Sequence, residues 1–146
     1  MKIIQATSEN LEQLLPLFEG YRTYYKQEQN TEAAKSFLKS RFQLKDSVIF
    51  LAFDSNKKAV GFTQLYPSFS SVSMQRVYIL NDLFVSAEVR GKGFGEALLN
   101  HAKQFAIKNN SKGLTLETEI DNPAQKLYER LGWKKDEDVF HYTWKV

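Results

Sequence analysis

The feature that most restricts how this chain can fold is a strand-like run that passes through a glycine-rich turn directly into an amphipathic helix. Residues 76–85 (RVYILNDLFV) are largely apolar, residues 90–95 (RGKGFG) form the turn, and an apolar stripe of helical spacing follows. A helix start exposes unpaired N–H groups and the positive end of the helix dipole, and glycines let those groups converge on one ligand. We therefore predict an anion site at this turn, with a plain tight turn as the alternative.

Two common phosphate-binding motifs do not fit the turn. A P-loop places a Lys-Ser/Thr pair after its last glycine, whereas Gly95 is followed by Glu96 and Ala97. The dinucleotide-binding motif needs a small residue at position 96 within a parallel βαβ unit, but the strands before this turn have the pattern of a meander. The turn therefore indicates a phosphate cradle of another kind.

The rest of the chain has the length and pattern of one domain, residues 1–146. Ser8 and Thr31 are predicted to cap two early helices, and Asn122 to cap a short late helix. Residues 67–75 are predicted to form a loop. The predicted strands are 2–6, 47–53, 59–66, 76–85, 113–120 and 139–146. The resulting order is β-α-α-β-β-β-α-β-α-β.

The composition excludes several classes of protein. The chain has no cysteine, which rules out disulfides and a cysteine nucleophile and fits a reducing cytoplasm. The net charge of +3 is not gathered into a basic block, which argues against nucleic acid as a partner. No signal-like or membrane-spanning run is present, and the two histidines have no metal-ligand neighbours. We expect a cytoplasmic protein that binds neither a metal nor a membrane.

Two polar residues, Asn81 and Asp82, interrupt the apolar run just before the glycine turn. Burying such side chains costs free energy unless they are paired or used. A bulge at this point would splay the strand and free backbone groups for a ligand. The alternative is that both side chains simply pair with neighbouring backbone.

Tyr128 lies on the apolar stripe of the short helix within residues 122–133 (NPAQKLYERLGW). A tyrosine on such a stripe commonly serves packing alone. Its hydroxyl still needs a partner, so the residue is also a candidate proton donor.

Together with the element order, these segments resemble the GNAT family of N-acetyltransferases. RGKGFG (Arg90, Gly93 and Gly95) matches the family's acetyl-CoA signature Arg/Gln-x-x-Gly-x-Gly/Ala, and AQKLYERLGW resembles its second conserved block. The resemblance covers the whole chain. It implies an α/β (α+β) fold with a mixed, mostly antiparallel sheet of six to seven strands, splayed at the fourth strand.

The resemblance also implies how acetyl-CoA, the co-substrate, would be bound. Backbone amides of the turn would hold the pyrophosphate, the edge of the fourth strand would pair with the pantetheine arm, and Tyr128 would protonate the departing thiolate. The family often places an asparagine seven residues before this tyrosine. Asp121 stands there and Asn122 follows, so either could meet the pantetheine. The implied residues are Leu83, Phe84, Val85, Arg90, Gly91, Lys92, Gly93, Phe94, Gly95, Glu96, Asp121, Asn122 and Tyr128.

Transfer is expected to go directly to an amine, since no cysteine can carry an acyl-enzyme. A carboxylate must take the amine's proton, directly or through water, and Asp82, Glu117 and Glu119 are the candidates. Segments 21–27 and 66–75, rich in aromatic and hydroxyl side chains, would border the acceptor. The predicted catalytic residues are Tyr128 and Asp82, and the predicted substrate-binding residues are Tyr24, Tyr66, Asn81, Glu117 and Glu119.

We therefore expect an N-acetyltransferase that acts on a small primary amine of polyamine, amino-acid or amino-sugar type. The alternatives are a protein lysine or N-terminal acetyltransferase, a non-catalytic acetyl-CoA-binding module, and a phosphate- or nucleic-acid-binding domain. The aromatic-rich alternating segment 139–146 ends the chain. An exposed edge strand of that kind invites pairing with another chain, so a homodimer is expected.

Overall fold

A computed structural model describes residues 1–146 as a five-stranded sheet with helices on both faces. The strands are β1 (Lys2–Gln5), β2 (Val48–Phe53), β3 (Ala59–Ser70), β4 (Gln75–Val85) and β5 (Gly113–Thr115). The helices are α1 (Leu11–Tyr24), α2 (Thr31–Leu44), α3 (Phe94–Lys108) and α4 (Ala124–Arg130). The strands lie in chain order; β1 to β4 are antiparallel and β5 joins β4 in parallel. The expected α/β class and the mostly antiparallel sheet are confirmed.

Both early helices begin close to the predicted residues, but the predicted caps are wrong. Thr7 rather than Ser8 caps a 3-10 turn that leads into α1, accepting from the Glu9 amide at 3.3 Å. Asn30 rather than Thr31 caps α2, accepting from the Ala33 amide at 3.1 Å. A cap needs non-helical backbone, which the residue one position earlier adopts in each case.

The predicted loop 67–75 is mostly strand, because β3 continues to Ser70 and β4 begins at Gln75. Four residues, 71–74, make the turn. Phe69 faces Arg76 across the hairpin, and the guanidinium carbon lies 4.3 Å from the ring centroid. The serines of this stretch predict a loop by composition, but cross-strand pairs of this kind stabilise the longer hairpin.

The two faces of the sheet carry separate cores. Helices α1 and α2 cover one face, with Leu14, Phe18, Leu38, Leu51 and Phe62 among the buried residues. Helices α3 and α4 cover the other, with Phe50, Leu65, Leu98, Leu99, Ala102 and Tyr128 buried there. Each fully buried leucine contributes roughly 1.5–3 kcal/mol. The sheet is thus held from both sides, with β4 between β3 and the short edge strand β5.

Strand β4 is splayed near Asn81, as the sequence predicts. Asp82 pairs with Gln64 and Leu80 pairs with Leu65, so Asn81 is an extra residue opposite no partner. On the other edge, β5 pairs with β4 only at residues 77–79. From Leu80 onward that edge of β4 has no neighbouring strand, and a cleft opens between β4 and the chain that follows β5.

The C-terminal part of the predicted sheet is absent from the single chain. Of the predicted strand 113–120, only residues 113–115 form a strand, and residues 139–146 form none. Residues 134–146 take part in no backbone hydrogen bond. The alternation in this segment is strand-like, but a strand exists only where its N–H and C=O groups meet a neighbour. The sheet therefore has five strands rather than six to seven.

None of the helices combines the length and the apolar character that a crossing of the bilayer requires.

We predict that Gly61→Ala destabilises the fold, because β3 and β4 approach too closely there for a Cβ. A Cβ at Gly61 would lie 3.0 Å from the Phe84 carbonyl oxygen and 3.3 Å from Leu98 Cδ1. Overpacking of this kind costs about 1–3 kcal/mol of unfolding free energy. Gly113→Ala is the matched control, since nothing lies within 4 Å of its Cβ. Urea denaturation measures both; equal midpoints for the two variants would contradict the packing described.

Candidate active site

A cavity of about 470 Å³ occupies the cleft where β4 and the chain after β5 diverge. Its walls come from the glycine turn, the open edge of β4, residues 116–118, α1 and α4. The volume lies in the range typical of small-molecule sites. Elements far apart in sequence therefore meet around one cavity.

The glycine turn forms one end of this cavity. Gly91 and Gly93 have φ values of +78° and +88°, a left-handed conformation that glycine adopts without strain, and Gly93 immediately precedes α3. The amides of the following residues donate no hydrogen bond within the protein: Gly91, Gly93, Phe94, Gly95 and Glu96. A cluster of free N–H groups at a helix N-terminus is suited to an anion.

Two of the backbone amides that were expected to bind the anion already donate hydrogen bonds within the protein. The Arg90 amide donates to the Ala87 carbonyl at 3.4 Å, and the Lys92 amide donates to the Val89 carbonyl at 3.3 Å. The Arg90 side chain still lines the cavity, and its Nε donates to the Val85 carbonyl at 3.0 Å. Lys92 does not line the cavity. The run of amides from residue 90 to residue 96 is thus only partly free.

The open edge of β4 forms the floor of the cavity, which is lined by Leu83, Phe84 and Val85, the residues predicted to meet the pantetheine arm. Phe84 also packs against α1 at Gly20, where a Cβ would lie 2.8 Å from the ring. Glycine at position 20 thus lets α1 approach β4 closely. The close approach brings the tyrosines of α1 to the same cavity.

The bulge beside this edge is held by hydrogen bonds to its backbone. The Thr63 hydroxyl donates to the Asp82 carbonyl at 2.7 Å, and the Tyr21 hydroxyl donates to the Asn81 carbonyl at 3.2 Å. Asn81 lines the cavity. Bulges re-aim side chains and end pairing next to functional sites, and this one opens the edge of β4 to the cavity.

Asp82 lies behind the bulge, is 2% exposed and does not line the cavity. Its two carboxylate oxygens accept from Gln64 Nε2 at 2.6 Å and from Asn81 Nδ2 at 2.7 Å. Burial raises the pKa of this carboxyl, although the hydrogen bonds from Asn81 and Gln64 act in the opposite direction. Any proton it takes from a group in the cavity must pass through water or another side chain.

Tyr128 lines the cavity and its ring is buried, 8% exposed, in the core under α4. Burial, and then the charges of Tyr25 and Tyr24, raise the pKa of Tyr128 to about 12. The hydroxyl has no hydrogen-bond partner in the protein and keeps its proton at neutral pH. The residue therefore combines the packing role with an available proton at the cavity wall.

The end of the cavity opposite the glycine turn is aromatic. Tyr21 and Tyr24 of α1 and Tyr25, which follows it, line this end, with ring centroids 5.0 Å apart for Tyr21–Tyr25 and 5.2 Å apart for Tyr24–Tyr25. Burial raises the pKa of Tyr25, and the charges of Tyr24 and Glu119 add to the effect. Glu117 lines the cavity, whereas Glu119 lies beside Tyr25 without lining it.

Tyr66 is placed differently from the other predicted substrate-binding residues, because it does not line the cavity. Burial, and then the charge of Asp82, raise its pKa to about 12. Tyr66 therefore lies near Asp82, behind the bulge. The sequence predicted Tyr66 as a substrate-binding residue but could not show that the bulge separates it from the cavity.

Of the two candidates for the pantetheine contact, the structure places Asn122 in the wall and Asp121 outside it. Asn122 Oδ1 accepts from the Ala124 amide at 2.9 Å, which confirms its predicted role at the start of α4. Sequence reasoning missed Arg130, which lines the cavity and pairs with Glu96 at 3.2 Å. Its position on α4, two residues after Tyr128, was the only available signal.

No group of three or more histidine, cysteine, aspartate or glutamate side chains is arranged to hold a metal ion.

A family model, related sequences and solved structures all relate this chain to acetyltransferases. Residues 12–133 match the model of the acetyltransferase (GNAT) family. The chain is 47% identical to an uncharacterized N-acetyltransferase, YhfO, of Bacillus subtilis, over 100% of this chain and 98% of that protein. A crystal structure of a probable acetyltransferase, 42% identical, superposes with a TM-score of 0.95 over 100% of this chain and 98% of the other.

A more distant structure, an aminoglycoside N-acetyltransferase in complex with CoA, is 20% identical and has the same fold, with a TM-score of 0.81 over 99% of this chain and 95% of the other. The match to the family model covers the glycine turn, the bulged strand and Tyr128. The chain therefore belongs to the acetyltransferase (GNAT) family of acyltransferases, whose members use acetyl-CoA as the acetyl donor.

Proposed function

We propose that this protein transfers an acetyl group from acetyl-CoA directly to a small primary amine. The observation that carries the proposal is the asymmetry of the cavity. Free backbone amides gather at one end, and tyrosines with a carboxylate gather at the other. The first end suits an anionic donor and the second suits a cationic acceptor.

The donor end fits the pyrophosphate of CoA. The free amides between Gly91 and Glu96 belong to one short turn that lines the cavity, and glycines leave room for a ligand against the backbone. The unpaired edge Leu83–Val85 offers backbone groups to an extended pantetheine arm, and Asn122 lies opposite it in the wall. Acetyl-CoA would supply the thioester carbonyl that the acceptor amine attacks.

The acceptor end favours a positive charge. The cavity has four charged lining residues, and three of them (Arg90, Glu96 and Arg130) lie at the glycine turn or pair with it. Glu117 is the fourth. Thr115 pairs with Ile79 in parallel, so Glu117 lies level with Asn81, whose carbonyl accepts from Tyr21. Tyrosine faces attract cations, and a carboxylate adds to that attraction. An amine that arrives as an ammonium ion is therefore the acceptor that this end recognises.

Proton movement assigns further roles. Before attack the ammonium must lose a proton; Glu117 lines the cavity, while Asp82 would act through water. As the new carbon–nitrogen bond forms, the carbon–sulfur bond breaks, the sulfur takes up a proton and the nitrogen releases its remaining excess proton. We assign the proton for sulfur to the Tyr128 hydroxyl, which lies in the wall and keeps its proton at neutral pH, and the proton that nitrogen releases restores this hydroxyl.

A homodimer and a cytoplasmic location remain part of the proposal. Segment 139–146 is unpaired and aromatic-rich and has the alternation of a strand, so it would pair with a neighbouring copy. The lack of cysteine fits a reducing compartment.

An amine panel tests the proposed acceptor class. Polyamines, amino acids, amino sugars and peptides with a free lysine or N-terminus are offered with acetyl-CoA, and release of the CoA thiol is measured. We expect turnover with a small amine and little with peptides, because the cavity is of small-molecule size. Faster turnover of a peptide would instead favour a protein acetyltransferase. Thermal stabilisation by CoA without any thiol release would favour a non-catalytic module.

We predict that Gly95→Asp weakens CoA binding without unfolding the protein. A Cβ at Gly95 meets Leu127 Cδ2 at an acceptable 3.4 Å, and an aspartate in the first turn favours the helix. The added carboxylate repels an anion about 6 Å away by roughly 2–3 kcal/mol at an effective dielectric constant of about 20. That corresponds to a loss of affinity of about 30- to 100-fold.

Calorimetric titration with CoA measures the affinity. Gly113→Asp is the matched control, because it adds the same charge at an open position outside the cavity. Wild-type affinity in a folded Gly95→Asp protein would show that the anion binds elsewhere.

We predict that Tyr128→Phe lowers kcat by about two to four orders of magnitude, the usual effect of losing a positioned proton donor. The ring and its packing stay, so CoA affinity and melting temperature should change little. Tyr78→Phe is the control, since Tyr78 is equally buried, 8% exposed, but does not line the cavity. Steady-state kinetics with a turned-over amine compares the two. If Tyr128→Phe remains as active as Tyr78→Phe, the tyrosine is only a packing residue.

A further inference from the structure

Asp82 is a buried carboxylate that lies between two side-chain amides. It is 2% exposed, Gln64 is fully buried, and neither of them lines the cavity. One carboxylate oxygen accepts from Gln64 Nε2 at 2.6 Å and the other accepts from Asn81 Nδ2 at 2.7 Å. Asn81, by contrast, is exposed and lines the cavity. The buried carboxylate is therefore linked to the cavity wall through the Asn81 amide.

The carboxylate of Asp82 decides which way each of these amides is turned. An ionised carboxylate accepts hydrogen bonds and donates none, so an amide that faces it must present its NH2 group. Gln64 obeys this requirement although its Oε1 is then buried without a hydrogen-bond partner. An unpaired buried acceptor is unfavourable, so the bond to the carboxylate outweighs that loss.

The same requirement fixes the Asn81 amide. Its Nδ2 is turned toward Asp82, behind the bulge, and its Oδ1 makes no hydrogen bond within the protein. The backbone at this residue is held as well, because the Tyr21 hydroxyl donates to the Asn81 carbonyl at 3.2 Å. With Nδ2 bound on the buried side, Oδ1 is the polar atom that the Asn81 side chain offers to the cavity.

We infer that Asp82 is a positioning residue, which turns the Asn81 amide so that Oδ1 accepts a hydrogen bond from the nitrogen of the acceptor amine. Glu117 lies level with Asn81, so the two side chains offer oxygen atoms to one nitrogen. A neutral primary amine has two N–H groups and one lone pair. When the oxygens hold the N–H groups, the lone pair is left to attack the thioester. The inference rests on the proposed acetyl transfer and gives Asp82 a role that needs no proton transfer.

Replacing the carboxylate by an amide tests this orientation. Asp82→Asn keeps the size of the side chain, but the new amide can face Asn81 with either its oxygen or its NH2 group. Asn81 then presents its own NH2 group to the cavity in part of the molecules. We expect KM for the best amine of the panel to rise about 10-fold while kcat changes little, the pattern of a lost binding contact. Steady-state kinetics at saturating acetyl-CoA measures both constants.

A swap of the two residues is the rescue. Asn81→Asp/Asp82→Asn places the carboxylate in the cavity wall and the amide behind it. Both polar atoms of a carboxylate are oxygens, so an oxygen faces the cavity whichever way that side chain is turned. We expect KM to fall back to near the wild-type value. A purely structural role of Asp82 predicts no recovery, because the swap still removes the carboxylate from its place beside Gln64.

Gln64→Met is the matched control. It removes the other hydrogen bond to the same carboxylate, at a fully buried position, and leaves Asn81 Nδ2 bound to Asp82. We expect a lower melting temperature with KM close to that of the wild type. Calorimetric titration should give wild-type CoA affinity for every variant, because the free amides of the glycine turn are untouched.

The other kinetic results overturn the inference. An unchanged KM in Asp82→Asn would show that the orientation of Asn81 does not hold the amine. A fall in kcat at unchanged KM, with loss of the acidic limb of the pH profile, would make Asp82 the base that takes the proton through water. An equal rise of KM in Gln64→Met, or no recovery in the swap, would leave Asp82 a structural role alone.

Nuclear magnetic resonance of the wild-type protein tests the orientation without turnover and without any Asp82 variant. The side-chain signals of Asn81 are assigned by their absence from Asn81→Ala. In the CoA-saturated protein, we expect slower solvent exchange of the bonded Nδ2 proton than at the exposed Asn56, and a saturable shift of the Asn81 side-chain carbonyl carbon when n-butylamine is added.

The two failures are distinguishable. Equally fast exchange at Asn81 and Asn56, or no shift of the Asn81 carbonyl carbon with n-butylamine, would overturn the inference even if an amine is turned over. Failure of the whole amine panel to release thiol would count against the proposed acetyl transfer, while the resonance experiment would still decide which atom of Asn81 faces the cavity.

Discussion

The loss of pairing along one edge of β4 is the constraint on which the rest of the site depends. The extra residue at Asn81 ends the regular register with β3, and β5 leaves β4 after residue 79. Hydrogen bonds from Thr63 and Tyr21 hold the bulge in place. The open edge, the cavity beside it and the free amides of the glycine turn follow from this one local departure from a regular sheet. A sheet that paired normally to Val85 would leave no cleft.

The polar side chains around the bulge form two groups, one buried and one lining the cavity. The side chains of Asp82 and Gln64 are buried and hydrogen-bonded to each other, and this bond stabilises the bulge. Asn81, Tyr21 and Glu117 reach the cavity. Tyr128 belongs to both groups, since its ring packs in a core while its hydroxyl has no protein partner. The same short segments therefore serve stability on one side and line the cavity on the other.

The sequence predicted the parts of the site whose signal is local. A glycine at every second position before a helical stripe indicated the cradle, and two polar residues in an apolar strand indicated the bulge. It could not show that the backbone amides of Arg90 and Lys92 donate hydrogen bonds within the protein. Those bonds depend on the 3-10 turn at Ala87–Val89, whose carbonyl groups accept them. It also could not choose between Asp121 and Asn122, since the conformation of the turn before α4 decides which one lines the cavity.

By itself the sequence determined the family, the α/β class and the order of the elements up to α4, because periodicity and short-range backbone chemistry are written in neighbouring residues. Only the tertiary structure decided which predicted residues share the cavity. It placed Tyr66 and Asp82 behind the bulge and brought Tyr21 and Arg130 to the wall. It also decided that segment 139–146, strand-like in pattern, forms no strand in one chain. A strand forms only when its backbone groups make hydrogen bonds with a neighbouring strand, and a local sequence pattern cannot show whether that neighbour is present.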